Sequence, residues 1–159
     1  MPETAIAKVE NAFKAALDAE TGIGGALEGW TILVDQSTDI AIDRDSWPVI
    51  AIYTTAVAHQ QFEEQSMHLH TATIEFEFIS TDSALGTISR RNLEAIAWAQ
   101  KTIASDRYLG GRLQICEEVD TVPAAPNGKD VGSASLQYEV QFFTRRDDWF
   151  TLLGSNAEF

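Results

Sequence analysis

Apolar and polar side chains alternate strictly along residues 71–79, where Ala72, Ile74, Phe76 and Phe78 interleave with Thr71, Thr73, Glu75 and Glu77. A period of two sends one set into a core and the other into water, so this stretch predicts a half-buried strand. Residues 135–145 repeat the pattern with Leu136, Tyr138, Val140 and Phe142 against Gln137, Glu139 and Gln141. That strand then breaks into Arg145-Arg146-Asp147-Asp148-Trp149, which reads as a charged, aromatic tail. Shorter apolar runs at 30–34, 49–55 and 112–119 predict three more strands.

The period lengthens to that of a helix twice. Over 4–19, Ile6, Val9, Phe13, Ala16 and Leu17 share one face, with Thr4 as the candidate N-cap. Over 87–104, Ile88, Leu93, Ile96, Ala97, Trp98, Ala99, Gln100 and Ile103 form a broad stripe, and Gly110-Gly111 lies beyond its end. Arg90 and Arg91 in that helix's first turn oppose the macrodipole, which predicts a compensating partner. The expected fold is α+β: a mostly antiparallel or mixed sheet of about five strands with two helices packed on one face. The 159 residues fit a single domain spanning 1–159, with irregular loops at 35–48 and 120–133. Residues 58–70 are polar and long for a turn, and predict a projecting arm or an extended hairpin.

Charge changes the picture. Residues 1–82 carry fourteen acids against three bases, a net −11, whereas 83–159 carry ten against eight, a net −2. Such a front half repels a phosphate backbone, which argues against bulk nucleic-acid binding. Glu75, Glu77 and Glu139 share the wet side of the sheet, and like charges on neighbouring strands weaken their pairing. The doublets Arg90-Arg91 and Arg145-Arg146, with Trp149 and Phe150, are the candidate subunit interface: a head-to-tail ring needs two unlike, complementary patches. One cysteine, Cys116, rules out an intrachain disulfide, and the start of the chain lacks the apolar core of a secretory signal. The reading is a soluble protein folded inside a cell, without a membrane span.

Catalytic patterns are sparse. The glycines of 21–29 follow a helix instead of a strand and lack phosphate-loop spacing. Asp147 and Asp148 are adjacent and point apart in an extended chain, so they make no close carboxylate pair. Cys116 has no histidine beside it in sequence, and no Gly-x-Ser-x-Gly elbow exists. His68 and His70 project to one side, and His59, Glu63 or Glu64 would complete a metal site if the arm folded back. These are weak metal candidates on a polar arm; no cofactor is expected.

The order of elements resembles the tail-terminator (tail-completion) proteins of long-tailed bacteriophages. The resemblance rests on a leading amphipathic helix, the strand Pro48-Val-Ile-Ala-Ile-Tyr53 and a long arm, then the strand Ala72–Phe78. A helix over Leu93–Trp98 and a Tyr138-x-Val-x-Phe-x-Thr144 strand ending at Asp147-Asp148 complete it. It implies a structural virion protein with no enzyme activity, forming a homo-hexameric ring at the head-proximal end of the tail tube. Such a ring ends tube polymerisation, and its partners are the tail tube protein and a head-completion or connector protein. DNA passes through without specific binding. Location would be the virion tail, after assembly in the host cytoplasm. The competing readings are another neck or head-completion adaptor, an acidic DNA-mimic inhibitor, and a metal-dependent enzyme using His59, His68 and His70.

Overall fold

The two alternating segments become the centre of one sheet. In the computed structural model, which describes residues 2–34, 48–62, 66–81, 88–122, 131–155 and 157–159, β3 (Met67–Thr81) pairs antiparallel with β5 (Val131–Arg145). Their ladder runs from Met67 opposite Arg145 to Thr81 opposite Val131. On the far side of β3 lies β2 (Val49–Phe62), antiparallel, and on the far side of β5 lies β4 (Ile115–Val122), also antiparallel. A short β1 (Thr31–Val34) adds to β2 in parallel, giving the order β1-β2-β3-β5-β4. A sixth strand, β6 (Asp148–Leu153), pairs with the end of β5. The fold is α+β with a six-stranded mixed sheet and two helices against it. One strand more is present than the pattern predicted, because the expected tail turns back and pairs, Phe143 opposite Leu153 and Thr144 opposite Leu152.

Of the projecting arm or extended hairpin expected at 58–70, the described residues 58–62 and 67–70 form paired strands, as an extended hairpin would. β2 and β3 stay paired past Ala58–Thr71 as far as Phe62–Met67, and β5 lies along β3 over the same length. A third strand removes the reason to project, since it satisfies the backbone groups that a lone arm would leave to water. Residues 35–47 and 123–130, most of the two predicted loops, lie outside the described residues, as do Glu63 and Glu64.

Helix α1 (Ala5–Asp18) starts where predicted, with the Thr4 hydroxyl accepting from the Ala7 amide at 3.3 Å. Its Val9, Phe13 and Leu17 are fully buried in the core between helix and sheet. Phe13 meets Phe76 edge-on at 5.2 Å and leans on Tyr138 at 6.4 Å. Helix α2 (Ile88–Ser105) buries Ala95, Ile96, Ala99 and Ile103 in the same core, and Ile88 against Gly132. The predicted stripe was too wide: Leu93 and Trp98 face outward, and Lys101 lies over the Trp98 ring. A small polar network pins the start of α2. Ser80 donates to Asn92 at 2.7 Å, Asn92 donates to the Gly132 carbonyl at 3.3 Å, and Arg91 donates to the Thr81 carbonyl at 2.8 Å. That last bond is the compensation expected for a cation in a helix's first turn. Gly132 is needed there because a Cβ would stand 2.5 Å from the Ile88 side chain.

Replacing Phe13 by alanine removes a ring with 0% exposure from the helix–sheet contact. We expect a loss of about 3–5 kcal/mol of unfolding free energy, read as a lower urea midpoint with an unchanged slope.

Candidate functional site

All three histidines of the chain converge around one tryptophan. Register explains how. His59 lies opposite His70 across β2 and β3, His70 lies opposite Phe142 across β3 and β5, and His68 is two residues from His70 on the same side. The turn after β5 then brings β6 back so that Trp149 covers them. Its indole stacks on His59 at 4.5 Å and 30°, and its N–H donates to His68 Nδ1 at 3.1 Å.

The hydrogen bonds assign the protons. The Thr144 hydroxyl donates to the Arg145 carbonyl at 3.1 Å, so its oxygen accepts from His70 Nε2–H at 2.8 Å. A neutral His70 then offers the lone pair of Nδ1, and His59 Nδ1–H donates to it at 2.7 Å. A second proton on His70 would set two N–H groups head-on. His70 is 3% exposed and lies flat on Phe142 at 4.9 Å. Burial first, then the charges of His59 and His68, lower its pKa from 6.5 to about 4.

These contacts occupy both ring nitrogens of His70 and one each of His59 and His68. His70 Nδ1 is taken by His59 and His68 Nδ1 by Trp149. Among the described residues, no group of three or more histidine, cysteine or acidic side chains is placed to hold a metal ion.

The candidate interface residues are placed apart. Arg90 and Arg91 sit at the start of α2, where Arg91 is bound to the last residue of β3. Arg145 lies opposite Met67, the first residue of β3. With about 3.3 Å per strand residue, the two doublets are roughly 45 Å apart and form no single basic patch. Arg145 pairs with Glu158, while the Arg146 guanidinium faces the Gln61 side-chain oxygen. Trp149 and Phe150 keep 44% and 46% of their surface exposed. Lys8 donates to the Phe150 carbonyl at 2.6 Å, which ties β6 to α1. Asp148 opens β6: its carboxylate accepts from the Thr151 hydroxyl and from the Phe150 and Thr151 amides, which together lower its pKa.

Glu75, Glu77 and Glu139 lie on the face away from the helices, as their alternation predicts, and each is partly buried. They are not paired against one another. Glu75 is opposite Gln137, which donates to it at 3.2 Å, and Glu77 accepts from the Tyr53 hydroxyl at 3.0 Å. Burial, with Glu77 and Glu75 beside it, drives the Tyr53 pKa well above its ordinary value. Glu139 is opposite Thr73 on β3 and Glu117 on β4, so the direct clash of like charges involves a strand the sequence pattern had not implicated. On the helix side, burial pushes the Cys116 thiol up to about 11, which keeps it protonated at neutral pH. No model of a known protein family matches the chain, and no curated protein matches it either.

The histidine cluster predicts an acid-sensitive fold. With its native pKa lowered, His70 adds stability that is fully present above pH 6.5 and is lost as the pH falls toward about 4. We expect urea midpoints followed by Trp fluorescence to fall over that window. In His70→Phe, which keeps the stack on Phe142 but binds no proton, the fall should be shallower.

Proposed function

We propose that this protein is a structural component of a bacteriophage tail, closing the head-proximal end of the tail tube as a ring and joining it to the head connector. The observation that carries the reading is a sheet that, among the described residues, is covered by helices on one face and presents carboxylates on the other. Ordinary two-layer domains bury one face and wet the other with mixed polar residues. Here the wet face concentrates Glu75, Glu77, Glu117, Asp120 and Glu139 around the β3–β5 ladder. In a ring, that face turned inward would line the channel through which DNA passes. A duplex held by counterion release needs cations along its path, and carboxylates deny it any. The order of elements, which resembles that of tail-terminator proteins, supports the same reading. Within it the self-partner is a hexamer, the other partners are the tail tube and the head-completion or connector protein, and no chemistry is catalysed.

Negative-stain images of the protein mixed with tail tubes test this: rings should appear at one end of each tube and tube growth should stop. Tubes that lengthen normally, with no density at either end, would sink the proposal. Reversing the lining in a Glu75→Lys/Glu77→Lys/Glu139→Lys variant should leave ring formation intact. DNA delivery from joined particles should then slow, with partial recovery as salt rises.

A further inference from the structure

Helix α2 rests on β3 and β5 and stops short of the outer strand β4, so a cleft opens between the helix and that strand. Its volume is about 480 Å³, within the roughly 300–1,000 Å³ of small-molecule sites. The walls are mixed. Ala97, Ile103 and Ala104 give an apolar side on the helix, while Cys116 and Tyr138 stand on the strands opposite.

The hydroxyl of Tyr138 singles this cleft out. The residue is 6% exposed, and its ring is packed on Phe13 and Phe76. At that depth a tyrosine oxygen normally has a hydrogen-bond partner; among the described residues this one has none. The groups that act on it electrostatically are Glu118, Cys116 and Arg107, all walls of the same cleft, so the oxygen end faces into it.

Its neighbours do not supply the missing bond. Glu118 lies opposite Tyr138 in the β4–β5 ladder, but its carboxylate accepts from Gln100 and, at 3.0 Å, from the Thr121 hydroxyl. The Cys116 thiol, kept protonated by burial, brings a weak donor and no charge. Arg107 uses one N–H on the Cys116 carbonyl at 3.3 Å and, among the described residues, makes no other hydrogen bond. Asp106, beside it, has its carboxylate on the Gly110 amide at 3.0 Å. Two cations, Lys101 and Arg107, thus face one already engaged carboxylate, in a chain whose net charge is −13.

We infer that the cleft binds a small organic carboxylate, its anionic group bridging the Tyr138 hydroxyl and the Arg107 guanidinium and its apolar body lying along Ala97, Ile103 and Ala104. An ionised carboxylate only accepts hydrogen bonds, which is what a buried O–H and a guanidinium both require. Its two oxygens match the guanidinium fork. A phosphate would set a second negative charge beside Glu118, and an inorganic ion would leave the apolar wall unused. The site does not depend on how copies of the chain assemble, so it stands apart from the ring reading.

Amide chemical shifts of the isotope-labelled protein, titrated with phenylacetate at constant ionic strength, test the site. Saturable shifts should centre on residues 97–107 and 116–118. Phenethylamine has the same body with the opposite charge, and acetate has the charge without the body; each should bind at least about tenfold more weakly. Tyr138→Phe keeps the ring and removes only the hydroxyl, and should weaken phenylacetate about tenfold, the effect of one hydrogen bond to an ion. Without ligand, the same variant should unfold at a urea midpoint equal to or above that of the wild type, since a hydroxyl without a partner adds nothing to the fold. Ala97→Trp, which fills the cleft from an exposed position, should abolish the shifts. No saturable shift from phenylacetate would mean that the cleft holds water only, and would overturn the site. So would equal binding of phenethylamine, unchanged affinity in Tyr138→Phe, or shifts that survive Ala97→Trp. A lower midpoint for Tyr138→Phe overturns it as well, because the hydroxyl would then already be satisfied within the fold.

Discussion

Everything else in the structure hangs on the register between β3 and β5. Fifteen consecutive residues of each strand face one another, and because side chains alternate, a slip by one position would exchange the two faces along the whole length. With Ala72, Ile74, Phe76 and Phe78 held under the helices, Leu136, Tyr138, Val140 and Phe142 would go to water and Gln137, Glu139 and Gln141 would be buried in their place. Burying an unpaired carboxylate costs several kcal/mol, so the acidic face acts as a second lock on the register that the apolar face alone selects. The same alignment places His70 opposite Phe142 and Thr144 within reach, without which the histidine cluster would not exist.

The architecture divides labour between the two sides of that ladder. On one side, α1 and α2 share a continuous core, and the polar network of Ser80, Asn92 and Gly132 fixes where α2 begins. On the other, no helix among the described residues arrives, and glutamates share their hydrogen bonds with Tyr53 and Gln137. The two faces thus differ in kind: one is packed and apolar, the other is lined by hydrogen-bonded carboxylates.

Much of the fold was legible because the central strands and α1 keep strict periods, and the Thr4 cap and the burial of Phe13 follow directly from them. Where the outcome departed, tertiary contact outweighed local pattern. Ala58-His59-Gln60-Gln61 looks like loop because its side chains are exposed, yet its backbone bonds are made by β3. Asp148–Leu153 looks like a tail because Asp148 and Trp149 suggest solvent, yet the Asp148 carboxylate caps its own turn and Trp149 finds the histidines. Sequence brought His68 and His70 together by their spacing of two. Trp149, more than seventy residues further on, carried no local signal linking it to them. Leu93 and Trp98 were misplaced for a simpler reason: a helix resting on a sheet buries a narrower stripe than its apolar residues suggest.

The outer edge of β4 has a consequence of another kind. Its ladder with β5 is interrupted between Glu118 and Asp120, and the strand carries Glu117, Glu118 and Asp120 within four residues. An open strand edge is a template on which a second sheet can grow, and a kink with clustered negative charge is one way such growth is blocked. Two copies meeting edge to edge here would bring carboxylate against carboxylate on a backbone that no longer runs straight. The protein therefore guards against runaway sheet extension at β4, the strand that ends the main order of the sheet.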